Sequence, residues 1–360
     1  MHIERIEDIP HLDAERERWE ILESRDPHVT VFTSWRWLRA YFPTSRHPWF
    51  VLALRQGEKT LGYFPLSRAG SILDRELYLG GNPVADYTGM IALPSEDDRV
   101  IGAFADAIRA QRWDACNLRD VRDPRVERLA HRLMAEGGGL RMESTGEARC
   151  RSIDLPATWD QYLKERIRRS SRQNILRVER ALGAGLPAFR SGEASSENVN
   201  EYVEALVLVK HKRWGGSLKS AQRHHGRLFR NAFDAGLMRI FVYWDGERPI
   251  AGAAVFIDAQ RSSFCLYQTG FDEEYKRYSP GTGLVAHTIR AAIEGGYARF
   301  DFLRGDDAHK AHYASDVSLT RHYRIVRTGL RSDAIAYFRP KGFAIKLMLA
   351  NLRFGGGRSV

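Results

Sequence analysis

The stretch MRIFVYWDGERPIAGAAVFIDAQRSSFCLYQTGFDEEYKRYSPGTGLVAHTIRAAIEGGYARFDFLRG (238–305) decides the fold. It opens with strand MRIFVYW (238–244), an Asp245-Gly246 turn and strand PIAGAAVFID, the pattern of a β-hairpin. Strand SFCLYQTG (263–270) follows, then the loop FDEEYKRYSPGTG and a helix, LVAHTIRAAIEGG. Leu284, Val285, Ile289, Ala292 and Ile293 share one face of that helix, and Gly295-Gly296 suits its end. Strand ARFDFLRG (298–305) alternates, and a last strand is expected near Leu319–Val326. Strands interleaved with an apolar-faced helix make the class α/β.

Outward from this core the first half is also mixed α/β. A helical stretch near Leu12–Leu22 precedes VFTSWRWLRAYF. Strand-like runs WFVLALR (49–55) and LGYFPLSR (61–68) read as a hairpin. ELYLGG, the irregular NPVADYTGM, a helix near Asp98–Ala110, a strand at Cys116–Leu118 and a helix near Pro124–Ala135 complete it. The Gly137–Gly139 triplet breaks the chain. A basic helical region comes next, in which Tyr202, Ala205 and Val209 mark an apolar stripe. At 360 residues two domains are the default. The expected division is 1–150, a first α/β lobe; 151–235, a basic helical insert; 236–330, a second lobe with the glycine-bearing loop; and 331–360, an amphipathic helix and tail.

Composition narrows the function classes. No run reaches the roughly 18 apolar residues of a membrane span. The charged N-terminus lacks the apolar centre of a secretory signal. Three cysteines, at 116, 150 and 265, stand in no metal or redox spacing, which points to reduced thiols and a cytoplasmic home. A net charge of +10 favours anionic partners such as CoA, a nucleotide sugar, tRNA or a membrane surface. No recognisable nucleic-acid motif appears, so dedicated DNA binding is not expected. His224-His225 lacks companions at ligand spacing, so no metal is expected. Lys341, Lys346 and Arg353 on the terminal helix allow peripheral membrane contact; packing on its own domain is the alternative.

The loop before the helix is the first candidate site. A helix N-terminus exposes unpaired N–H groups and the positive end of its dipole, a ready place for phosphate. Gly281 and Gly283 allow close approach, Pro280 fixes the entry backbone, and Lys276 and Arg277 add charge. A helix-breaking turn that caps a surface helix would look the same.

The string 267–313 resembles the signature region of a bacterial GNAT acyltransferase subgroup, the CelD-type proteins associated with cellulose and exopolysaccharide synthesis. Its domain is similar to the FemAB fold. The residues that carry the likeness are Gln268, Phe271-Asp272, Tyr278-Ser279-Pro280-Gly281, Phe300-Asp301-Phe302, Gly305 and Lys310. RIRRSSRQNILRVERALGAG, HKRW (211–214), VFTSWRWL and GNPVADY extend it over about residues 20–330. Two positions depart from the pattern. His309 stands where tyrosine is common, and Arg-Tyr-Ser-Pro-Gly-Thr-Gly is one residue off the better-known GNAT loop spacing. The resemblance implies two GNAT-like lobes with mixed sheets flanked by helices. It implies acetyl-CoA or a longer acyl-CoA as donor and an amine-bearing metabolite or polysaccharide precursor as acceptor. The loop residues Arg277, Tyr278, Ser279, Pro280, Gly281, Thr282 and Gly283, with Gln268, would hold the donor. FemX-like relatives use aminoacyl-tRNA, and a non-catalytic accessory protein of polysaccharide synthesis is the third reading.

Amide formation from a thioester needs a neutral amine, a polarised carbonyl and a protonated leaving thiolate. Asp86, in an irregular Gly/Pro-flanked segment, suits an incoming ammonium; an Asx turn is the alternative. Asp301 is a base or an arginine's partner, and Tyr313 a proton donor to sulfur or a packing aromatic. Lys310 and Arg304 form a second polar cluster or a solvated loop. Tyr87, Arg213 and Trp214 suit substrate contact through stacking and anion grip, with core packing as the competitor. Seven basic residues between Lys164 and Arg180 offer a face for tRNA or an anionic glycan, or an ordinary solvated helix.

Overall fold

The computed structural model describes residues 1–329 apart from 72–73, 136–138, 187, 216 and 306–307. The side chains of Trp214, Ala308 and His309 also fall outside the described part, as does the terminal helix expected within 331–360.

Thirteen strands form one sheet. They are β1 (His2–Ile6), β2 (Trp49–Gln56), β3 (Lys59–Gly70), β4 (Arg75–Leu79), β5 (Ile91–Ala92), β6 (Ala115–Val121), β7 (Leu140–Asp154), β8 (Phe189–Glu193), β9 (Met238–Asp245), β10 (Arg248–Asp258), β11 (Ser263–Phe271), β12 (Arg299–Arg304) and β13 (Asp316–Arg327). The order is β1-β2-β3-β4-β6-β13-β7-β12-β11-β10-β9-β8, with β5 on β3. β4 runs parallel to β6 and β11 parallel to β12; the other neighbours are antiparallel.

The order contains a repeat. β1-β2-β3-β4-β6 on one side mirrors β8-β9-β10-β11-β12 on the other. Each half then sends its last strand across: β7 leaves the first half to pair with β12, and β13 leaves the second to pair with β6. β7 and β13 pair with each other through the centre. Residue 150 therefore lies inside a strand that passes from one half to the other.

Nine helices matter here: α1 (Ile9–Ala14), α2 (Arg16–Glu23), α3 (Trp35–Tyr41), α4 (Asp97–Ala110), α5 (Pro124–Ala135), α6 (Arg169–Gly185), α7 (Val199–Trp214), α8 (Arg227–Asp234) and α9 (Pro280–Glu294). α4 and α5 bury Phe104, Leu129 and Leu133 against β2, β3 and β6. α6 and α9 cover one face of the second half through Ile175, Val178, Leu182 and Ile289. α7 lays Tyr202, Ala205, Leu206 and Val209 on the opposite face, as the apolar stripe expects. Residues 151–235 thus supply β8, α6 on one face of that half and α7 on the other. The remaining cluster joins the halves, with Phe32 edge-on to Phe256 at 5.5 Å.

β1, β7 and β8 carry no period-two apolar signal. β7 reads LRMESTGEARCRSID and is half-buried or exposed over most of its length, so hydrophobic alternation has nothing to report.

A buried cation ties the first half together. The Arg125 guanidinium, fully buried, donates to Asp26 Oδ2 at 2.8 Å and Asp123 Oδ1 at 3.0 Å. It also donates to Met90 O at 3.0 Å and Ala92 O at 3.2 Å. This closes the far end of the irregular 80–92 segment. Removing one partner leaves charges buried and uncompensated, so Arg125→Leu should lose about 3–5 kcal/mol in urea unfolding. A midpoint equal to wild type would show the network to be dispensable.

Candidate functional site

The parallel pairing of β11 with β12 stops early. Ser263, Phe264 and Cys265 align with Arg299, Phe300 and Asp301, and beyond them the strands part. Two local devices open the gap. Against β10 the register slips between Ala254 and Val255, which leaves Tyr267 as the extra residue of a bulge in β11. On β12 the Asp301 carboxylate accepts Leu303 N–H at 2.7 Å, and Leu303 takes a left-handed φ of +55°. The register of β12 with β7 breaks at the same place.

A cavity of about 640 Å³ occupies the opening. Gly281, Thr282 and Val285 of α9 line it together with Tyr313, and Lys210 and Arg213 come to it from α7. Asp86 reaches it from the first half, and Leu266 to Phe271, Phe302, Arg304 and Lys310 complete the wall. The expected residues Asp86, Arg213, Gln268, Ser279, Gly281, Thr282, Arg304, Lys310 and Tyr313 are thus brought together.

Others stand elsewhere. Asp301 is buried, and both its oxygens accept from the Tyr87 hydroxyl, at 2.8 and 3.0 Å. Tyr87 lines a separate small pocket with Thr30 and Arg122. Arg277 donates to the Tyr278 hydroxyl at 2.7 Å, and that hydroxyl donates to Gly185 O at 3.1 Å, fastening the loop to the end of α6.

α9 begins at Pro280, three residues before Gly283, because proline at the first helical position needs no N–H partner. The Gly283 amide therefore already donates to Ser279 O, at 3.3 Å, and the Thr282 amide to the same oxygen at 3.0 Å. Gly281 keeps the first-turn N–H with no bond among the described residues. Gly283 serves close packing instead. A Cβ there would lie 2.8 Å from Leu182 Cδ1 and 3.2 Å from Val178 Cγ1. Its absence lets α9 close on α6.

Charge in the cavity is lopsided. Among the described lining residues, Lys210, Arg213, Lys276, Arg304 and Lys310 face the single carboxylate of Asp86. Arg304 Nε lies 2.8 Å from Asp86 Oδ1 and Arg304 Nη1 2.7 Å from Asp120 Oδ2. Burial nevertheless outweighs the arginine and pushes the Asp86 carboxyl up to about 6. Lys310 Nζ donates to Phe302 O at 3.0 Å and Arg304 O at 2.8 Å, capping carbonyls where β12 has left its neighbour. Tyr313 donates to Thr282 O at 3.3 Å, and burial raises its phenol to about 12.

The two halves differ at the helix start beside their parted strands. β4 and β6 part in the same way after Tyr78 and Asn117, yet α4 opens with Asp97-Asp98. Carboxylates in a first turn repel phosphate, whereas α9 presents Gly281 and Thr282 there.

Residues 169–311 match the family model described as an acetyltransferase (GNAT) domain. No curated protein matches the chain in sequence. In structure the chain resembles FemX, at 11% identity and a TM-score of 0.61, over 94% of this chain and 99% of that one. It also resembles a tandem GNAT protein from the clavulanic acid biosynthesis pathway, at 10% identity and a TM-score of 0.56, over 91% and 99%. L-PGS from Bacillus licheniformis gives 13% and 0.54 over 90% and 96%. Such identities speak for the fold, a tandem GNAT-like α/β architecture.

Within the matched residues the sequence reading missed Lys210. Its Nζ donates to Gln268 Oε1 at 2.8 Å and lies 3.4 Å from His225 Nε2. Burial lowers the lysine and brings His225 down to about 4. The signal was present: Lys210 continues the spacing of Tyr202 and Leu206, so a cation stands on the buried stripe of α7. For Gly283 the packing predicts that Gly283→Val loses about 1–3 kcal/mol of stability by overfilling the α6–α9 contact. An unchanged denaturation midpoint would refute it.

Proposed function

We propose that this chain is an acyl-CoA-dependent N-acyltransferase. The observation that carries this reading is the cavity in the β11–β12 opening, with an unbonded helix amide at Gly281 on one side and Asp86 on the other. Gly281, Thr282, Ser279 and Lys276 would hold the donor's phosphates, and the thioester would lie between the parted strands. The donor supplies an activated acyl carbonyl; the protein supplies everything around it.

The acceptor enters as an ammonium, for which Asp86 is the only carboxylate among the described lining residues. With its carboxyl raised to about 6, Asp86 is ionised at neutral pH and basic enough to accept the proton as the amine attacks. Two protons leave the ammonium nitrogen: Asp86 takes one to free the attacking lone pair, and the second is released as the C–N bond forms and the C–S bond breaks, while one proton must reach sulfur. Tyr313, whose hydroxyl sits at the first turn of α9, is the donor we assign, and Lys310 holds the β12 end in place. Backbone amides of β11 beyond Cys265 would polarise the carbonyl. No covalent enzyme intermediate is needed.

The motifs around Phe271-Asp272 and Phe300–Phe302 support a CelD-type acceptor, a surface-polysaccharide precursor or another amine-bearing metabolite. Three free, buried cysteines accord with a reducing, cytoplasmic setting. Among the described residues no helix is long and apolar enough to cross a membrane. The second reading, aminoacyl-tRNA as donor, draws support from the exposed Lys164, Arg166, Arg168, Arg169, Arg177 and Arg180. Titration with acetyl-CoA, longer acyl-CoAs and tRNA separates the two, because binding to tRNA falls steeply with salt.

Two outcomes are expected. Gly281→Val should abolish CoA binding in calorimetry while far-UV circular dichroism stays native, since its Cβ points at the Phe271 ring 3.1 Å away. Full affinity in that variant would overturn the loop assignment. For wild type kcat/KM should climb as pH passes about 6 and the Asp86 carboxyl loses its proton. Asp86→Asn should remove that limb; retention of it would assign the base elsewhere.

A further inference from the structure

Beside the main cavity lies a second pocket of about 220 Å³, sharing Thr282 and Tyr313 with it. Its opposite wall is the first two turns of α6: Ser170, Ser171, Asn174 and Ile175. α6 is 17 residues long and begins at Arg169. Its first amide bonded back into the chain is that of Arg172, donated to Arg168 O at 3.0 Å, so the amides of Ser170 and Ser171 stand ahead of it. Ser171 is 6% exposed and its hydroxyl has no hydrogen-bond partner. A buried hydroxyl left unpaired is costly, so it is kept for a reason other than stability.

The first turns of α6 and α9 thus face the same pocket, and none of its described lining residues carries a carboxylate. Two positive helix ends turned toward one another repel unless an anion stands between them. Arg172, the next residue along α6, is half-buried and has no ion-pair partner among the described residues. We propose that the first turn of α6 is the second half of a phosphate clamp, in which Ser170 and Ser171 grip a phosphate group across the pocket from Thr282. The inference rests on the donor reading above and deepens it: the diphosphate of the donor would be held between two helix N-termini rather than on one.

The test exploits a substitution that a helix favours and an anion does not. Ser170→Asp puts a carboxylate in the first turn of α6, where the dipole stabilises it, so the unfolding midpoint should hold or rise. Gln173→Glu adds the same charge to an exposed position of α6 outside the pocket. Inorganic pyrophosphate and CoA are titrated into the full-length wild type and both variants by calorimetry. Ser170→Asp should weaken both ligands about tenfold or more, and Gln173→Glu by no more than about twofold. CoA that binds wild type and Ser170→Asp alike overturns the clamp while leaving the donor reading intact. If wild type ignores CoA, the donor reading fails on its own. Pyrophosphate then decides: loss on Ser170→Asp alone sustains the clamp, and no binding or equal binding in all three proteins overturns it.

Discussion

The site depends on where one buried carboxylate puts its hydrogen bonds. Asp301 accepts the Leu303 amide two residues ahead, and this holds Leu303 left-handed and turns β12 away from β11. The same carboxylate accepts the Tyr87 hydroxyl, and Arg122 stands 3.8 Å from it. Tyr87 is the neighbour of Asp86. A single anion therefore opens the cleft in the second half and brings the first half's carboxylate to its edge. Asp301 shapes the site without lining it.

Around that hinge the charges follow a division of labour. Cations that must stay put are paired or capped: Arg125 on Asp26 and Asp123, Arg304 on Asp86 and Asp120, Lys310 on two carbonyls. Lys210 has an amide and an imidazole beside it and, among the described residues, no carboxylate. Burial without a counter-ion disfavours its charge, and an anionic ligand group would restore the balance.

Much of this was legible beforehand. The hairpin at Asp245-Gly246, the strand before the loop and the apolar face of α9 follow from local pattern, and they stand as expected. Gly281, Thr282, Lys310 and Asp86, singled out in the sequence, line one cavity. What pattern could not show was long-range. Gly283 looks like a phosphate-loop glycine, but its neighbour Leu182 comes from a helix a hundred residues earlier. Asp301 alternates like a site residue, but its partner Tyr87 lies more than two hundred positions away. β7 is polar because its length is spent in the middle of a sheet whose faces there remain open, a circumstance that no window of sequence contains.

The exchange of final strands has a consequence for how the molecule is made. On the ribosome the first half emerges with β6 as its outer edge, and the strand that covers that edge, β13, ends only at Arg327. Until then β6 offers unpaired backbone groups to any passing strand, an invitation to aggregation. Neither half can complete its own sheet, so the nascent chain must wait for nearly all of its described length before either is closed. Cutting the gene at the apparent midpoint would yield two fragments, each missing a strand the other holds, and such fragments should find their order by complementing each other.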